Sequence, residues 1–454
     1  VVSIDILPND VLLEIFAFLI CEEDASFPDD SSSCAKKAIE AWQTLVHVCQ
    51  RWRDIVFGSP SGLELRLVYT TKTPARETLD VWPALPLCIR CDGEYQTGSV
   101  DNIIAVLERR DRVVEINLDN IGWVGWDLDR VFVAMLKPFP ELTDLDLIAD
   151  KKVIMPILPD SFLGGSVPRL DFLTLDGIPF PGLPKLLLSA TYGVDLYIKN
   201  IPYFGYFSPD AMLTALSTLT SLKHFQLGFD SLQYRPISES RRPHPLTHPV
   251  LPALTYFWFR GASKYLEDLV AHIDAPQLSH LGTAFFNEIV FNTPQLIQFI
   301  YRTSMLKSLE KATVVLKDGT VTVKLWQLSS MEQGCTPSPP LSTSEAYCAE
   351  RYIYTAIYLQ PDWPDNTLWL ELLHPFAAVK NLYLSEEFAP HIVLVLQELV
   401  GGRTTGVLPI LQNIFLEGLR PSGPVQEAIG QFVAARQVTG HPIVVTRWER
   451  ELKK

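Results

Sequence analysis

The chain has 454 residues, 47% of them hydrophobic and 11% aromatic, and 52 acidic against 38 basic side chains give a formal charge of −14. These proportions exclude wholesale disorder and provide the apolar surface for a large core. The acidic balance argues against binding a phosphate backbone, and no run approaches the ~18 apolar residues of a membrane span.

The start, Val1-Val2-Ser3-Ile4-Asp5, lacks the basic-then-apolar order of a leader peptide. Seven cysteines, at 21, 34, 49, 88, 91, 335 and 348, are scattered rather than spaced as a disulfide framework, and no asparagine begins an Asn-X-Ser/Thr acceptor. Both features fit a reducing address, cytoplasmic, nuclear or both. The 63 leucines, about 14% of the chain, are ordered in their placement.

Leu7-Pro8 followed by residues 9–20 predicts a helix with Pro8 in the first turn and Asp10 and Glu14 toward its N-terminal end. Between Val11 and Ile20 only Glu14 is polar, so this helix is apolar nearly all round and needs cover on more than one side. A second helix is expected from about Ile39 to Phe57, with Leu45, Val48, Cys49, Trp52, Ile55 and Val56 on one face. The acidic, Ser-rich segment between them reads as a loop.

Leu7-Pro8-x-x-Val11-Leu12-x-x-Ile15-Phe16-x-x-Leu19, followed by Trp42-x-x-Leu45-x-x-Val48-Cys49-x-x-Trp52-Arg53-x-Ile55, resembles an F-box. The linker at 20–41 is longer and more acidic than the common form, and surface insertions of that kind are tolerated. The resemblance implies docking on a Skp-type adaptor and, through it, on a cullin–RING ubiquitin ligase. Carried over by position, the adaptor-facing residues are Leu7, Pro8, Leu12, Ile15, Leu19, Val48, Cys49 and Trp52. An adaptor would supply the cover that the over-apolar first helix lacks, with Trp52 as a central anchor.

After Pro60, short alternating apolar segments recur. The equivalent positions 65, 87, 116, 145, 173, 196, 225 and 257 lie 22 to 32 residues apart, the period of leucine-rich repeats. Return helices are expected near 101–107, 210–216 and 265–270, and the alternation resumes at Val379–Leu384, Leu411–Leu416 and Ile443–Val445 with a helix around Val425–Val438. Trp82-Pro83-Ala84-Leu85-Pro86, Leu251-Pro252-Ala253-Leu254-Thr255 and Ile273-Asp274-Ala275-Pro276-Gln277-Leu278 accompany the F-box. Together they resemble the fungal class of F-box proteins with degenerate leucine-rich repeats.

The expected fold is therefore α/β: an all-helical F-box at 1–60, then a leucine-rich-repeat-like solenoid with a parallel sheet at 61–454. Two Pro-rich stretches, 235–249 and 329–345, read as flexible insertions. An ordinary α/β domain is the alternative.

Catalytic chemistry finds no foothold. Cys88-Ile89-Arg90-Cys91 lacks a second ligand pair, and His244 and His248 are flanked by prolines that oppose the helix needed to bring them together. Phosphate-binding, zinc-protease and nucleophile-elbow motifs are absent. No metal, cofactor or enzymatic activity is expected.

If the leucines of each strand face the core, alternation sends Glu115, Asn117, Asp119, Asp144, Asp146, Thr174 and Asp176 to the concave side, followed by Tyr197, Gln226, Tyr256, Trp258 and Arg260. Glu115, Asp144, Asp146, Asp176, Tyr197, Trp258 and Arg260 are the candidate target-binding residues, suited to a basic segment followed by an apolar anchor. The reading is a target receptor of an SCF-type (Skp–cullin–F-box) ligase, with no nucleic acid or membrane partner. The alternative is a protein-interaction scaffold outside any ligase.

Overall fold

The computed structural model describes residues 7–21, 42–60, 62–63, 65–91, 99–121, 127–150, 153–230, 248–286, 294–306, 311–317, 320–326, 352–358, 379–384, 409–417 and 424–448. The fold is mixed α/β, and the chain divides into two compact units, Val1–Gly193 and Val194–Lys454.

In the first unit, α1 spans Asn9–Cys21, opened by Leu12 N–H donating to the Pro8 carbonyl at 3.1 Å. The single helix expected from Ile39 to Phe57 is instead two, α2 at 42–48 and α3 at Gln50–Gly58. They break at Cys49, whose backbone is extended (φ −158°, ψ 168°). Arg53 stabilises the break: its backbone N–H donates to the Cys49 carbonyl at 3.1 Å, and its Nε donates to the Val46 carbonyl near the end of α2 at 3.0 Å.

Five parallel strands follow, β1 (Leu67–Tyr69), β2 (Leu87–Cys91), β3 (Val113–Ile121), β4 (Asp144–Ala149) and β5 (Phe172–Asp176). The first begins after position 65, where a strand residue was expected, and Leu63 and Leu65 are buried ahead of it. Ile89, Ile116, Leu145 and Leu173 stand side by side in the register, and all are buried. The expected equivalents 65 and 87 fall outside this row: Leu65 precedes β1, and Leu87 pairs with Val113, so Ile89 takes the place beside Ile116. From β2 to β5 each strand sends one leucine or isoleucine into the same row.

Short helices α4 (Ala75–Thr78), α5 (Val100–Leu107), α6 (Leu128–Ala134) and α7 (Leu183–Leu187) return the chain. Neighbours cap one another. Asn102 of α5 accepts from Ala75 N at the start of α4 through Oδ1 (3.3 Å) and donates to the Thr71 carbonyl through Nδ2 (2.8 Å).

The second unit orders its strands β6-β7-β8-β9-β12-β11-β10-β13-β14-β15. β6 (Asp195–Ile201), β7 (His224–Phe229), β8 (Tyr256–Gly261) and β9 (His280–Phe286) run parallel, with Leu196, Phe225, Phe257 and Leu281 in one buried row. Helices α8 (Pro209–Leu216) and α9 (Ser263–Val270) match the expected return segments, and α10 (Pro294–Arg302) follows β9. The buried Glu267 of α9 accepts from Gln295 N (2.9 Å) and Leu296 N (2.7 Å), capping α10 across the repeat boundary.

The expected all-parallel sheet fails here. β10 (Lys311–Lys317), β11 (Thr320–Trp326) and β12 (Tyr352–Tyr358) form an antiparallel meander, and β12 rather than β10 pairs with β9. The signal was local. Asp318-Gly319 separates two strand-prone runs, Lys311–Lys317 and Thr320–Trp326, the composition of a two-residue hairpin, and Lys317 pairs with Thr320. Parallel repetition resumes through β13 (Asn381–Leu384), β14 (Asn413–Glu417) and β15 (Val444–Trp448), with α11 (Pro424–Val438) between the last two. Of the two expected insertions, 329–345 and all of 235–249 except 248–249 lie outside the described residues.

Several strands end on a recurring device. Asn120 (φ 53°) and Asn200 (φ 49°) are left-handed, and the register shifts between Leu118 and Ile121 and between Ile198 and Ile201. Gly177 (φ 71°) holds the corresponding place after Leu173-x-Leu175. Asn and Gly suit this conformation, in which the extra residue turns the chain away from its neighbour. The repeat signature is therefore apolar-x-apolar-x-Asn/Gly-apolar, legible in the sequence as Ile116–Ile121, Leu173–Ile178 and Leu196–Ile201.

Candidate protein-docking surfaces

The N-terminal helices are held together by Phe16, fully buried, against Trp52, with ring centroids 4.8 Å apart. Arg51 ties their starts: its guanidinium donates to the Leu7 carbonyl (2.5 Å) and to Asn9 Oδ1 (2.9 Å). They are fixed to the first repeat by aromatic edges, with Trp42 lying 5.4 Å from Trp82 and Phe57 6.4 Å from the same ring. Trp82 belongs to the Trp-Pro-Ala-Leu-Pro segment, so that motif provides the junction.

This packing sorts the eight adaptor-facing candidates. Leu12 is fully buried, so its side chain holds α1 in place and offers no docking surface. Trp52 and Cys49 are half-buried, the former committed to Phe16, while Leu7 is half-buried beside exposed Pro8. Ile15 (36%), Leu19 (45%) and Val48 (56%) are exposed, joined by Val11 (38%) and Phe18 (60%), which the positional carry-over missed. Helical spacing could have found these two: Val11, Ile15, Phe18 and Leu19 recur at i, i+4, i+7 and i+8, a single stripe. The helices thus leave an apolar strip uncovered by the described residues.

The strand face opposite the return helices carries the second candidate surface. In the first unit Glu115 pairs laterally with Asp144, and Asn117 with Asp146 and Thr174. The row is less acidic than expected. Glu115 receives a two-point contact from Arg90 (2.7 and 3.1 Å), and Arg66 stands 3.6 Å away. Asp144 accepts from the Thr143 hydroxyl at 2.6 Å. Asp146, Asp119 and Asp176 are half-buried, and Thr174, outward by alternation, is too short to stay exposed and is buried. On this same face Cys88 is the lateral neighbour of Glu115, and burial, reinforced by the Glu115 carboxylate, pushes its thiol up to about 12.

In the second unit Tyr197, Gln226 and Trp258 stand in one row, and Arg260 follows Trp258 two residues on. Lys199 Nζ lies 5.4 Å above the Tyr197 ring. Arg260 Nη1 donates to Asn200 Oδ1 at 3.2 Å. Tyr256 sits between His224, which pairs with Asp195, and His280. The acidic candidates belong to the first unit and the aromatic ones to the second.

Among the described residues, no group of three or more His, Cys, Asp or Glu is placed to hold a metal ion, and no helix is long and apolar enough to cross a membrane.

No protein-family profile matches the chain, and no curated protein matches it. Among solved structures it is similar to the leucine-rich-repeat-containing protein LegL7 of Legionella pneumophila. Identity is 13% with a TM-score of 0.29, covering 83% of this chain and 99% of that one. The repeat described above rests on the strand registers of the protein itself.

Proposed function

We propose that the protein is a target receptor of an SCF-type ubiquitin ligase: the N-terminal helices dock on a Skp-type adaptor, and the strand face of the repeats holds a target protein. The observation that carries the proposal is the exposed strip of Val11, Ile15, Phe18 and Leu19 on α1, with Val48 also exposed on α2, on helices whose sequence resembles an F-box. Four apolar side chains in one strip suit the dry centre of a stable interface and are costly to leave in water. A receptor of this kind needs no catalytic residue. It speeds ubiquitin transfer by holding a target lysine near chemistry done by other subunits.

The test is a pull-down of a Skp-type adaptor and cullin by the full chain and by an Ile15→Glu, Phe18→Glu double variant. The expected result is capture of both by the wild type and loss of both in the variant. Failure of the wild type to bind the adaptor overturns the reading. Adaptor binding without the cullin favours the scaffold alternative.

A further inference from the structure

Gly228 and Gly282 sit in the strands on either side of Trp258. A Cβ at Gly282 would lie 2.3 Å from Trp258 Cδ1, and one at Gly228 3.2 Å from its Cζ3. The indole therefore lies across the sheet, over backbone that two neighbouring strands leave bare. Glycine inside a strand weakens it and often marks a close approach, here by the ring. Trp258 is half-buried, so part of the ring remains open to a partner.

Among the described residues, two cations stand beside this platform. Arg260 is two residues along the same strand, and Lys199 lies on β6, across the bare Gly228. The acids of this face lie at its ends: Asp195, paired with His224 at the start of β6 and β7, and exposed Asp230, just past β7. Residues i and i+2 of a strand are about 6.6 Å apart, the same step as in an extended peptide. A peptide running along β8 with a planar side chain on Trp258 would set its next same-face side chain beside Arg260 and Lys199.

We propose that this surface binds an extended segment of the target protein in which an aromatic residue is followed, two positions later, by Asp or Glu. The proposal rests on the receptor reading for the origin of the segment and specifies its chemistry. The ring would stack on the indole, and the carboxylate would be held by the two cations over Gly228. It keeps the apolar anchor that the sequence led us to expect on the aromatic part of the sheet and adds an acidic residue beside it, because the cations here call for one.

The test uses the full chain and three fluorescein-labelled nonapeptides, alike except for a central Phe-Ala-Glu, Phe-Ala-Lys or Ala-Ala-Glu, with affinity read by anisotropy. Phe-Ala-Glu should bind on the order of tenfold more tightly than either control. Trp258→Leu should abolish that preference with its melting temperature checked in parallel, and Arg260→Glu should reverse it toward Phe-Ala-Lys. Equal binding of all three peptides by the wild type overturns the proposal. So does an unchanged preference in Arg260→Glu, which decides the matter if Trp258→Leu does not fold. Adaptor capture is measured on the same samples. Loss of peptide preference with adaptor capture intact sinks only this proposal, whereas peptide preference without adaptor capture sinks only the ligase reading.

Discussion

Phe16 and Trp52 meet across the N-terminal helices with their rings tilted by 56° and their centroids 4.8 Å apart. This contact divides the helices into an inner side that holds them together and an outer side, around Ile15 and Phe18, that is exposed. Changes on the two sides should therefore act on different observables. Phe16→Ala should cost about 3–5 kcal/mol, as for other large buried aromatics, and lower the melting temperature of the full chain. Ile15→Glu should leave the melting temperature close to wild type and weaken adaptor binding. Calorimetry and pull-down on the same preparations separate the two.

The cap on α10 predicts a pH dependence. Burial raises the Glu267 carboxyl above its ordinary 4.5, against the partial opposition of the two backbone N–H groups it accepts from. Above 4.5 the native state then holds this proton more tightly than the unfolded chain, so its contribution to stability falls as pH rises. Glu267→Gln removes the titration. In urea titrations at pH 5 and pH 8, the variant should lose less stability between the two than the wild type. Glu267→Ala, which uncaps the helix, should cost about 1–2 kcal/mol at either pH.

Cys88 should be inert. Its thiol is fully buried and pushed up to about 12, so at pH 8 it is neither accessible nor ionised. Peptide mapping after alkylation should find it unmodified in the native protein and modified after urea. Cys49, half-exposed at the break between α2 and α3, should label natively and be protected by a bound adaptor.

The left-handed asparagines should tolerate glycine but not branched residues. Asn120→Gly should be near neutral in denaturant titrations, while Asn120→Val should cost roughly 1–2 kcal/mol, because its Cβ branches crowd the backbone at φ 53°. The same contrast is expected at Asn200.

Much of this was legible in one dimension. Return helices near 101–107, 210–216 and 265–270 follow from amphipathic spacing and from Ser99 and Ser208, whose hydroxyls accept from Asp101 N and Ala211 N. The repeat followed from apolar positions 22 to 32 residues apart, since a stacked array must return one side chain per turn to its core. The Asp-Gly hairpin and the Asn/Gly strand ends were also written in the sequence, as local turn chemistry that a search for long periods passes over.

The sequence by itself determined the alternation, the period and the excess of apolar side chains on the first helix, because these depend on residue type and spacing alone. Only the tertiary structure decided which of those side chains are spent inside. Leu12 and Ile15 lie on the same apolar helix, yet one is buried and the other open, because α3 closes over one flank of α1. Glu115 reads as a free acid until Arg90 of β2 and Arg66, just before β1, arrive to neutralise it. Trp258 reaches across both neighbouring strands only because glycines 30 residues before and 24 after it fall beside it in the sheet. Each of these outcomes depends on contacts between distant parts of the chain, which spacing along the sequence cannot encode.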